Sequence, residues 1–387
     1  MVRALIGCLC CFVVLCTPAV AAESAGLHSA GLRATRLRTE SLVNPLGVEA
    51  AVPRLSWVVE SRARGAVQSG YRILVASDPE ILAEGRGDLW DSGKVESNRT
   101  VFVDYAGRAL GSRDRCWWKV MSWDGEGAPG PWSETASWEM GLLETGDWQA
   151  EWIDATAAAV EVEIVSAEYR TPDGAVRVDV RERVLGMLER GEAVVASNDA
   201  MGGDPKYGTP KELEIVYKRD GETVRVVTKE DGTAPVPPTS LPYLRKRFEV
   251  GEGVARARLY VTALGVYEAW LNGERVGDEH MAPGWTDYRE RVQYQVFDVT
   301  DQLAEGANTI GAIVGPGWFS GRAGLFHARA FYGDSPALLA QLEIEYEDGS
   351  RAVFVSDGSW ERHDGPILAA DIMDGEEHDA RLEVPGW

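Results

Sequence analysis

The sequence is short of basic residues. Its 387 residues include 39 Lys and Arg against 61 Asp and Glu, which gives a formal net charge of −22. Proteins that bind nucleic acids neutralise phosphates with clustered Lys and Arg, and proteins that dock on anionic membranes need basic surface segments. The charge therefore argues against both classes of partner.

Cysteine and histidine are also scarce. Four of the five cysteines fall between Cys8 and Cys16, and beyond them the sequence has Cys116 alone, so no internal disulfide is expected there. The five histidines show no metal-ligand spacing, and no Gly-x-Ser-x-Gly or phosphate-loop motif occurs, which argues against zinc, nucleophilic and nucleotide sites. Cys116 lies in a strand-like run, where a buried core residue is favoured over a nucleophile.

The N-terminal apolar run is too short to span a membrane. It extends from Ala4 to Cys16 behind Arg3, and small residues follow at 19–22. This pattern predicts a signal peptide at residues 1–22, cleaved after Ala21 or Ala22, in preference to a buried helix. A lipoprotein would use Cys16, but Leu15 is bulkier than a lipobox normally allows. We expect a secreted or periplasmic protein with no membrane attachment after signal removal.

Sustained helical periodicity is rare, and the alternation typical of strands dominates. Residues 32–154 contain about seven short alternating runs separated by Gly, Pro, Asp and Asn, the count of an immunoglobulin-like or fibronectin III-like sandwich. Five tryptophans lie in these runs, and most of them are expected in the core of the sandwich: they are Trp57, Trp117, Trp118, Trp123 and Trp138.

Residues 157–232 have a different pattern. Apolar residues at helical spacing predict a helix over 179–190 that ends at Gly191. The Asp220-Gly221 pair predicts a hairpin, and residues 198–205 are expected to form a turn. The segment therefore reads as an inserted α+β module, followed at 233–240 by a stiff Pro-rich linker.

From residue 241 the strand pattern returns and continues to Trp387. Asn272-Gly273 and Asp348-Gly349 predict hairpin turns between alternating runs. Residues 241–387 therefore predict a second antiparallel sandwich of the jelly-roll type. The fold class is mainly β: an immunoglobulin or fibronectin III-like sandwich, a small α+β insert and a jelly-roll sandwich that resembles carbohydrate-binding modules.

Several runs, in this order, resemble the N-terminal region of bacterial α-L-rhamnosidases. In the second sandwich these are residues 267–278 (YEAWLNGERVGD), 282–288 (APGWTDY), 315–321 (GPGWFSG), 356–360 (SDGSW) and 371–381 (DIMDGEEHDAR). Residues 44–48 (NPLGV) and 53–57 (PRLSW) resemble the fibronectin-type domain that precedes that sandwich. The resemblance covers about residues 32–154 and 240–387.

The resemblance implies a glycoside hydrolase that releases terminal α-L-rhamnosyl groups with inversion, using two carboxyl groups. In that family the catalytic α/α-toroid follows the point at which this sequence stops, so no residue here is assigned a catalytic role. Three hypotheses stay open. The chain is the non-catalytic front of a secreted rhamnosidase acting on plant or microbial glycans, a stand-alone carbohydrate-binding protein, or a structural array of sandwiches. The expected partners are a rhamnose-containing glycan and a C-terminal catalytic domain.

Carbohydrate binding is the activity that the residues present could perform. A sugar site needs an exposed aromatic ring with polar groups at its rim. The candidates lie in loops of the second sandwich, although each Trp could instead fill a sandwich edge or a domain interface. They are Asn272, Trp285, Asp287, Trp318, Phe319 and Arg322, with Asp334 nearby.

The densest acidic run is the connector near the C-terminus. It contains Asp371, Asp374, Glu376, Glu377 and Asp379. A solvated surface is the simpler interpretation. The alternative is a calcium site at Asp371, Asp374 and Glu376, because hard cations take several carboxylate oxygens. No other cofactor is expected.

Overall fold

The computed structural model describes residues 32–156, 158–159, 162–189, 194–219, 221–236, 239–323 and 328–387. The predicted signal peptide, the predicted helix stop at Gly191 and the turn residue Asp220 lie outside these ranges. Within them, no helix has both the length and the apolar character needed to cross a membrane. The chain divides into two compact units, with the boundary between Met140 and Gly141.

The first unit is an immunoglobulin-like sandwich of two antiparallel sheets, as predicted. One sheet has the order β1-β2-β5, and the other has the order β4-β3-β6-β7 with β8 also on β6. Its elements are β1 (Arg33–Thr39), β2 (Arg54–Glu60), β3 (Gln68–Ala76), α1 (Pro79–Ala83), β4 (Trp90–Asp91), β5 (Val103–Asp104), β6 (Arg115–Asp124), β7 (Pro129–Trp132) and β8 (Ala136–Glu139).

Strict alternation along the strands builds the core of this unit. In β6, Cys116, Trp118 and Val120 are buried, whereas the residues between them are partly exposed, because successive side chains of a strand face opposite sides. Trp57 and Trp138 are also buried, so the core prediction is confirmed for three of the five tryptophans. The other two are half-buried. Burial raises the pKa of the Cys116 thiol, which fits the predicted core role.

The first unit ends earlier than the sequence predicts. Residues 141–154, assigned above to the first sandwich, belong to the second unit, where β9 (Ile153–Asp154) pairs with Ala337 and Leu338. The difference arises because this pairing joins residues that are far apart in sequence and leaves no local signal.

The insert forms a four-stranded antiparallel sheet of order β12-β11-β14-β15 with a helix on one face. It has its own core, which includes Tyr169, Val184, Leu213 and Ile215. Its elements are β10 (Ala158–Ala159), β11 (Glu163–Arg170), β12 (Arg177–Asp179), α2 (Arg181–Glu189), β13 (Val194–Val195), α3 (Asn198–Met201), β14 (Glu212–Arg219), β15 (Glu222–Lys229), β16 (Thr233–Ala234) and β17 (Thr239–Ser240).

Two predictions for this region are wrong. Residues 198–201 form the short helix α3, capped by Ser197, and not merely a turn. The segment 233–240, predicted as a stiff Pro-rich linker, instead contributes to the insert: β16 pairs with β13, β17 pairs with β10, and Val236 is buried in the insert core. Residues 233–234 and 239–240 are extended, and both pairs of residues are used for strand pairing.

The second sandwich has two five-stranded antiparallel sheets. Their orders are β21-β20-β23-β18-β28 and β22-β19-β26-β27, with β9 added to β26. The strands and helix are β18 (Pro242–Val250), β19 (Val254–Leu264), β20 (Val266–Leu271), β21 (Glu274–Arg275), β22 (Gln295–Asp298), β23 (Gly306–Gly315), α4 (Gly317–Ser320), β24 (Arg322–Ala323), β25 (Ala328–Arg329), β26 (Ala337–Tyr346), β27 (Arg351–Val355), β28 (Glu361–Asp364), β29 (Ile367–Asp371) and β30 (Gly375–His378).

The core of this sandwich lies between its two sheets. Leu244, Ala269 and Ala312 from one sheet meet Leu259 and Leu342 from the other. The predicted hairpin turn at Asn272-Gly273 is present, with φ values of 53° and 83°, the left-handed conformation that this dipeptide tolerates. Three loops at one end of the sandwich then carry most of the candidate site: residues 281–294, the α4 segment and residues 330–336.

Candidate functional site

An aromatic cluster forms where these three loops meet. Trp285 and Trp318 are stacked with ring planes 9° apart and centroids 6.3 Å apart. Trp285 is 56% exposed, whereas Trp318 is half-buried. Parallel offset rings at this separation attract one another, so Trp318 supports Trp285 from one side. The cluster comprises Trp285, Tyr288, Trp318, Phe319, Phe331 and Tyr332.

Tyr288 and Phe319 form the buried base of the cluster. Their ring centroids lie 5.5 Å apart, edge to face, and the Tyr288 hydroxyl donates to the Gly284 carbonyl at 3.0 Å. Burial raises the pKa of Tyr288 to about 12. The sequence predicts Phe319 as a sugar contact, but this residue is only 8% exposed. It therefore packs beneath the site and offers no ring face to a ligand.

Tyr332 links the tryptophans to the polar rim. The Trp285 Nε1 donates to the Tyr332 hydroxyl at 3.1 Å, and the Tyr332 backbone N–H donates to the Phe319 carbonyl at 3.3 Å. The Arg289 guanidinium lies 5.6 Å from the Tyr332 ring centroid, a distance at which a cation is attracted to the ring face.

Asp287 is paired with Arg289 in a two-point ion pair. The guanidinium donates to both carboxylate oxygens, at 2.9 and 2.8 Å, and this pairing lowers the pKa of Asp287. The carboxylate is therefore charged near neutral pH. It keeps lone pairs for further donors, such as sugar hydroxyls.

Arg322 and the acidic connector form an ion network, and the role of Arg322 in sugar binding stays a prediction. The Arg322 backbone N–H donates to Asp371 at 2.8 Å, and its guanidinium donates to Asp374 at 2.9 Å. Arg329 also pairs with both aspartates. The Asp371 side chain is 5% exposed, so the prediction of a solvated surface is wrong for this residue.

The same pairs bear on the calcium prediction. A cation bound by Asp371 and Asp374 would have to displace the guanidinium groups of Arg322 and Arg329. In the part of the chain that the structure describes, no group of three or more His, Cys, Asp or Glu side chains is placed to hold a metal ion. Calcium at Asp371, Asp374 and Glu376 stays a prediction.

Asn272 lies away from the aromatic cluster. Its amide nitrogen donates to the Gln302 carbonyl and to Asn308 Oδ1, and its Oδ1 accepts from the Thr309 backbone N–H. It follows the last residue of β20, whereas the loop carrying Trp285 meets the other end of β20, where Tyr267 N donates to Ala282 O. At about 3.3 Å per residue these ends are separated by about 15–20 Å. Asn272 is thus a turn residue of the hairpin.

The structure therefore brings Trp285, Trp318 and Asp287 together and excludes Asn272 and Phe319. Sequence reasoning missed Arg289, Tyr332 and Phe331, which complete the cluster. Arg289 directly follows the 282–288 motif, and residues 331–332 are adjacent aromatics close to Asp334. Both signals were available, but nothing local indicates that the two loops meet.

Two family models match the chain. Residues 34–144 match the model described as Rha78A-like, N-terminal immunoglobulin domain. Residues 252–387 match the model described as Alpha-L-rhamnosidase N-terminal domain. The insert falls between the two matched ranges.

The curated relatives that match this chain are named α-L-rhamnosidases. An α-L-rhamnosidase of Streptomyces avermitilis is 35% identical over 92% of this chain and 43% of its own length. One from Formosa agariphila is 34% identical over 90% of this chain and 30% of its own length. The chain thus spans less than half the length of these relatives.

Solved structures of α-L-rhamnosidases are also similar to this chain. The S. avermitilis α-L-rhamnosidase complexed with L-rhamnose superposes with a TM-score of 0.69 at 32% identity, over 92% of this chain and 43% of that one. The enzyme from Dictyoglumus thermophilum gives 0.66 at 30% identity, over 92% and 32%. This chain carries the N-terminal immunoglobulin-like domain and the N-terminal β-sandwich domain of the α-L-rhamnosidases.

Proposed function

We propose that this chain is the non-catalytic front of a secreted α-L-rhamnosidase and that it holds a rhamnose-containing glycan at the aromatic cluster. The observation that supports this proposal most directly is the exposed Trp285 ring, which is stacked on Trp318 and hydrogen-bonded to Tyr332. An exposed, fixed indole offers a flat apolar surface to the apolar face of a sugar ring. The L-rhamnose complex of the S. avermitilis relative supports rhamnose as the sugar to test.

The rim of the cluster supplies the polar half of such a site. Asp287 accepts hydrogen bonds and Arg289 donates them, and their mutual ion pair fixes both beside Tyr332. Vicinal sugar hydroxyls can donate to the carboxylate and accept from the guanidinium. Since these groups are already oriented, binding sacrifices little side-chain freedom.

In this proposal, the residues that hydrolyse the glycosidic bond do not belong to the aromatic cluster or to the rest of this chain. Inverting glycosidases need a carboxylic acid of raised pKa opposite a carboxylate base. At the cluster, Asp287 has a lowered pKa and is paired with Arg289, so it is unsuited to act as the acid. Export through the predicted signal peptide completes the proposal and would place the chain where polymeric glycans occur.

Titration of the purified chain with methyl α-L-rhamnoside, followed by calorimetry, tests the binding. We expect saturable binding that Trp285→Ala weakens about tenfold or more, because the stacking surface is lost. The matched control is Trp152→Ala, which removes another exposed tryptophan of the same unit and should leave the affinity unchanged.

Three outcomes would contradict the proposal. Absence of saturable binding would leave the exposed apolar residues Trp285, Phe331 and Met281 as a contact surface for another protein domain. Equal loss in Trp285→Ala and Trp152→Ala would indicate a general effect on the fold. Release of rhamnose from an aryl α-L-rhamnoside by the purified chain would show that it is catalytic.

A further inference from the structure

A cleft lined by arginines lies in the first unit, at the edge of the immunoglobulin-like sandwich. It encloses about 420 Å³ between β1 and the start of β8, a size in the range of small-ligand sites. Residues 33–38 form one wall, and residues 43–44 and 134–136 form the other. We call this feature the arginine cleft.

A β-bulge interrupts β1 where it lines the cleft. Pairing with β2 skips one residue between Thr35 and Arg38, and Arg36 has a φ of 51°. Every residue from Arg33 to Arg38 lines the cleft, so all three arginines of this segment lie along it. Left-handed backbone is uncommon for a residue other than glycine.

The residues that line the arginine cleft carry more positive than negative charge, although the protein as a whole is strongly acidic. Three arginines face one carboxylate, Glu134, which pairs with Arg33 at 3.0 Å. Arg36 and Arg38 form no ion pair with any residue that the structure describes. The overall charge of −22 would repel anionic ligands from most of the surface, so these guanidinium groups create a local exception.

The remaining lining residues are polar and partly fixed. Asn44 Oδ1 accepts from the Ser137 backbone N–H at 2.9 Å, which holds the asparagine against β8. Thr135 adds a hydroxyl group, and Thr35, whose hydroxyl donates to the Val58 carbonyl at 3.4 Å, adds an acceptor oxygen. Planar guanidinium groups bind carboxylates through two parallel hydrogen bonds, and hydroxyl and amide groups suit the alcohols of a sugar.

We propose that the arginine cleft binds a uronate residue of an acidic oligosaccharide. The choice of a sugar acid rests on the proposed function, in which this chain holds a glycan. Arg36 and Arg38 would take the uronate carboxylate, and Thr35, Thr135 and Asn44 would contact its ring hydroxyls. The chain would then have two separate glycan contacts, one for the neutral sugar at Trp285 and one for the acidic sugar at the cleft.

Calorimetric titration of the full chain with trigalacturonic acid tests the proposal. We expect saturable binding by the wild-type chain. The double variant Arg36→Ala with Arg38→Ala should bind about tenfold or more weakly, because each guanidinium–carboxylate pair is lost. The matched control is Arg62→Ala with Arg64→Ala, which removes the same two charges from an exposed loop of the same unit. It should keep the wild-type affinity, as should Trp285→Ala, whose effect belongs to the rhamnoside site alone.

A second measurement needs no variant. Phenylglyoxal modifies exposed arginines, and trigalacturonic acid should protect Arg36 and Arg38, but not Arg62, in mass spectra of the wild-type chain. Absence of binding would overturn the proposal and leave the arginines as protection of an open strand edge. Equal loss in both double variants, or equally tight binding of hexaglutamate, would overturn it as well. If the wild-type chain binds trigalacturonic acid but shows no saturable rhamnoside binding, only the proposed function is contradicted.

Discussion

At the scale of single residues, arginine–carboxylate and lysine–carboxylate pairs determine which acidic groups remain available. Asp287, Asp371 and Asp374 are all held by arginines, so the acidic character of the chain does not translate into open metal sites there. Asp357 is likewise occupied by a basic partner, in this case the lysine Lys246. Its carboxylate accepts from the Ser359 hydroxyl and backbone and from Lys246 Nζ at 2.9 Å.

Asp357 makes stability depend on pH in a defined window. The hydrogen bond from Ser359, followed by that from Lys246, lowers its pKa to about 2. A lowered pKa means that the stabilisation is complete above about pH 4 and is lost as the pH falls towards 2. We expect Asp357→Asn to reduce the free energy of unfolding at pH 7 by about 1 kcal/mol, a value discounted for exposure. The difference from wild type should shrink between pH 4 and 2.

Urea unfolding across this pH range measures the effect. Asp334→Asn is the control, because it removes the same charge from an exposed residue whose polar partner is the neighbouring Ser335. A pH-independent difference for Asp357→Asn would contradict the assignment.

At the scale of elements, a glycine allows the α4 segment to pack closely against the sheet. Gly317 begins α4 with a φ of +54°, and a Cβ there would lie 2.8 Å from Val266 Cγ1 and 2.9 Å from the Gly265 carbonyl carbon. The next residue is Trp318, the support of Trp285. The position of the proposed sugar platform therefore depends on a backbone contact with no room for a side chain.

Gly317→Ala tests this dependence. Both the left-handed φ and the clash oppose the substitution, so we expect a loss of about 2–3 kcal/mol in the free energy of unfolding and weaker rhamnoside binding. Gly349→Ala is the control: its φ is +81°, but no atom lies within 4 Å of the added Cβ. It should cost about 1 kcal/mol and leave binding unchanged. Equal effects of the two substitutions, measured by urea unfolding and calorimetry, would contradict the argument.

Elements with local signals could be predicted from the sequence, and contacts between distant elements could not. The Asn272-Gly273 turn follows from two residues whose backbone tolerates positive φ. The structural role of Asn272 depends on Thr309 and Asn308, which no local pattern indicates. Likewise, the Pro-rich composition at 233–240 predicts extended chain, as in β16 and β17, but it says nothing about their partners β13 and β10.

At the scale of the whole molecule, the insert and the second sandwich have separate cores within one compact unit. The insert core includes Leu213 and the sandwich core includes Leu342, both almost fully buried, and the two clusters share no residue. Local opening of one core need not open the other. The insert can therefore vary without changing the aromatic cluster, whose residues all belong to the sandwich.

Leu213→Ala should loosen the insert alone. Removing this side chain leaves a cavity that costs about 2–4 kcal/mol, and hydrogen exchange should accelerate in β11, β14 and β15 while β19 and β26 stay protected. Rhamnoside binding should persist. Leu342→Ala is the reciprocal control, with faster exchange in β19 and β26. Uniform acceleration across both regions in Leu213→Ala would indicate that the two cores unfold as one.

The burial of Cys116 also bears on chemical labelling. In a chain that begins after the predicted cleavage site, this is the one cysteine. Its thiol is inaccessible, and burial raises its pKa, so it reacts slowly with maleimides. A Tyr207→Cys substitution, at a residue 96% exposed on the insert, would then provide a single site for a fluorophore. A chain that begins after the predicted cleavage site thus offers a background free of accessible competing thiols for optical measurements on the insert.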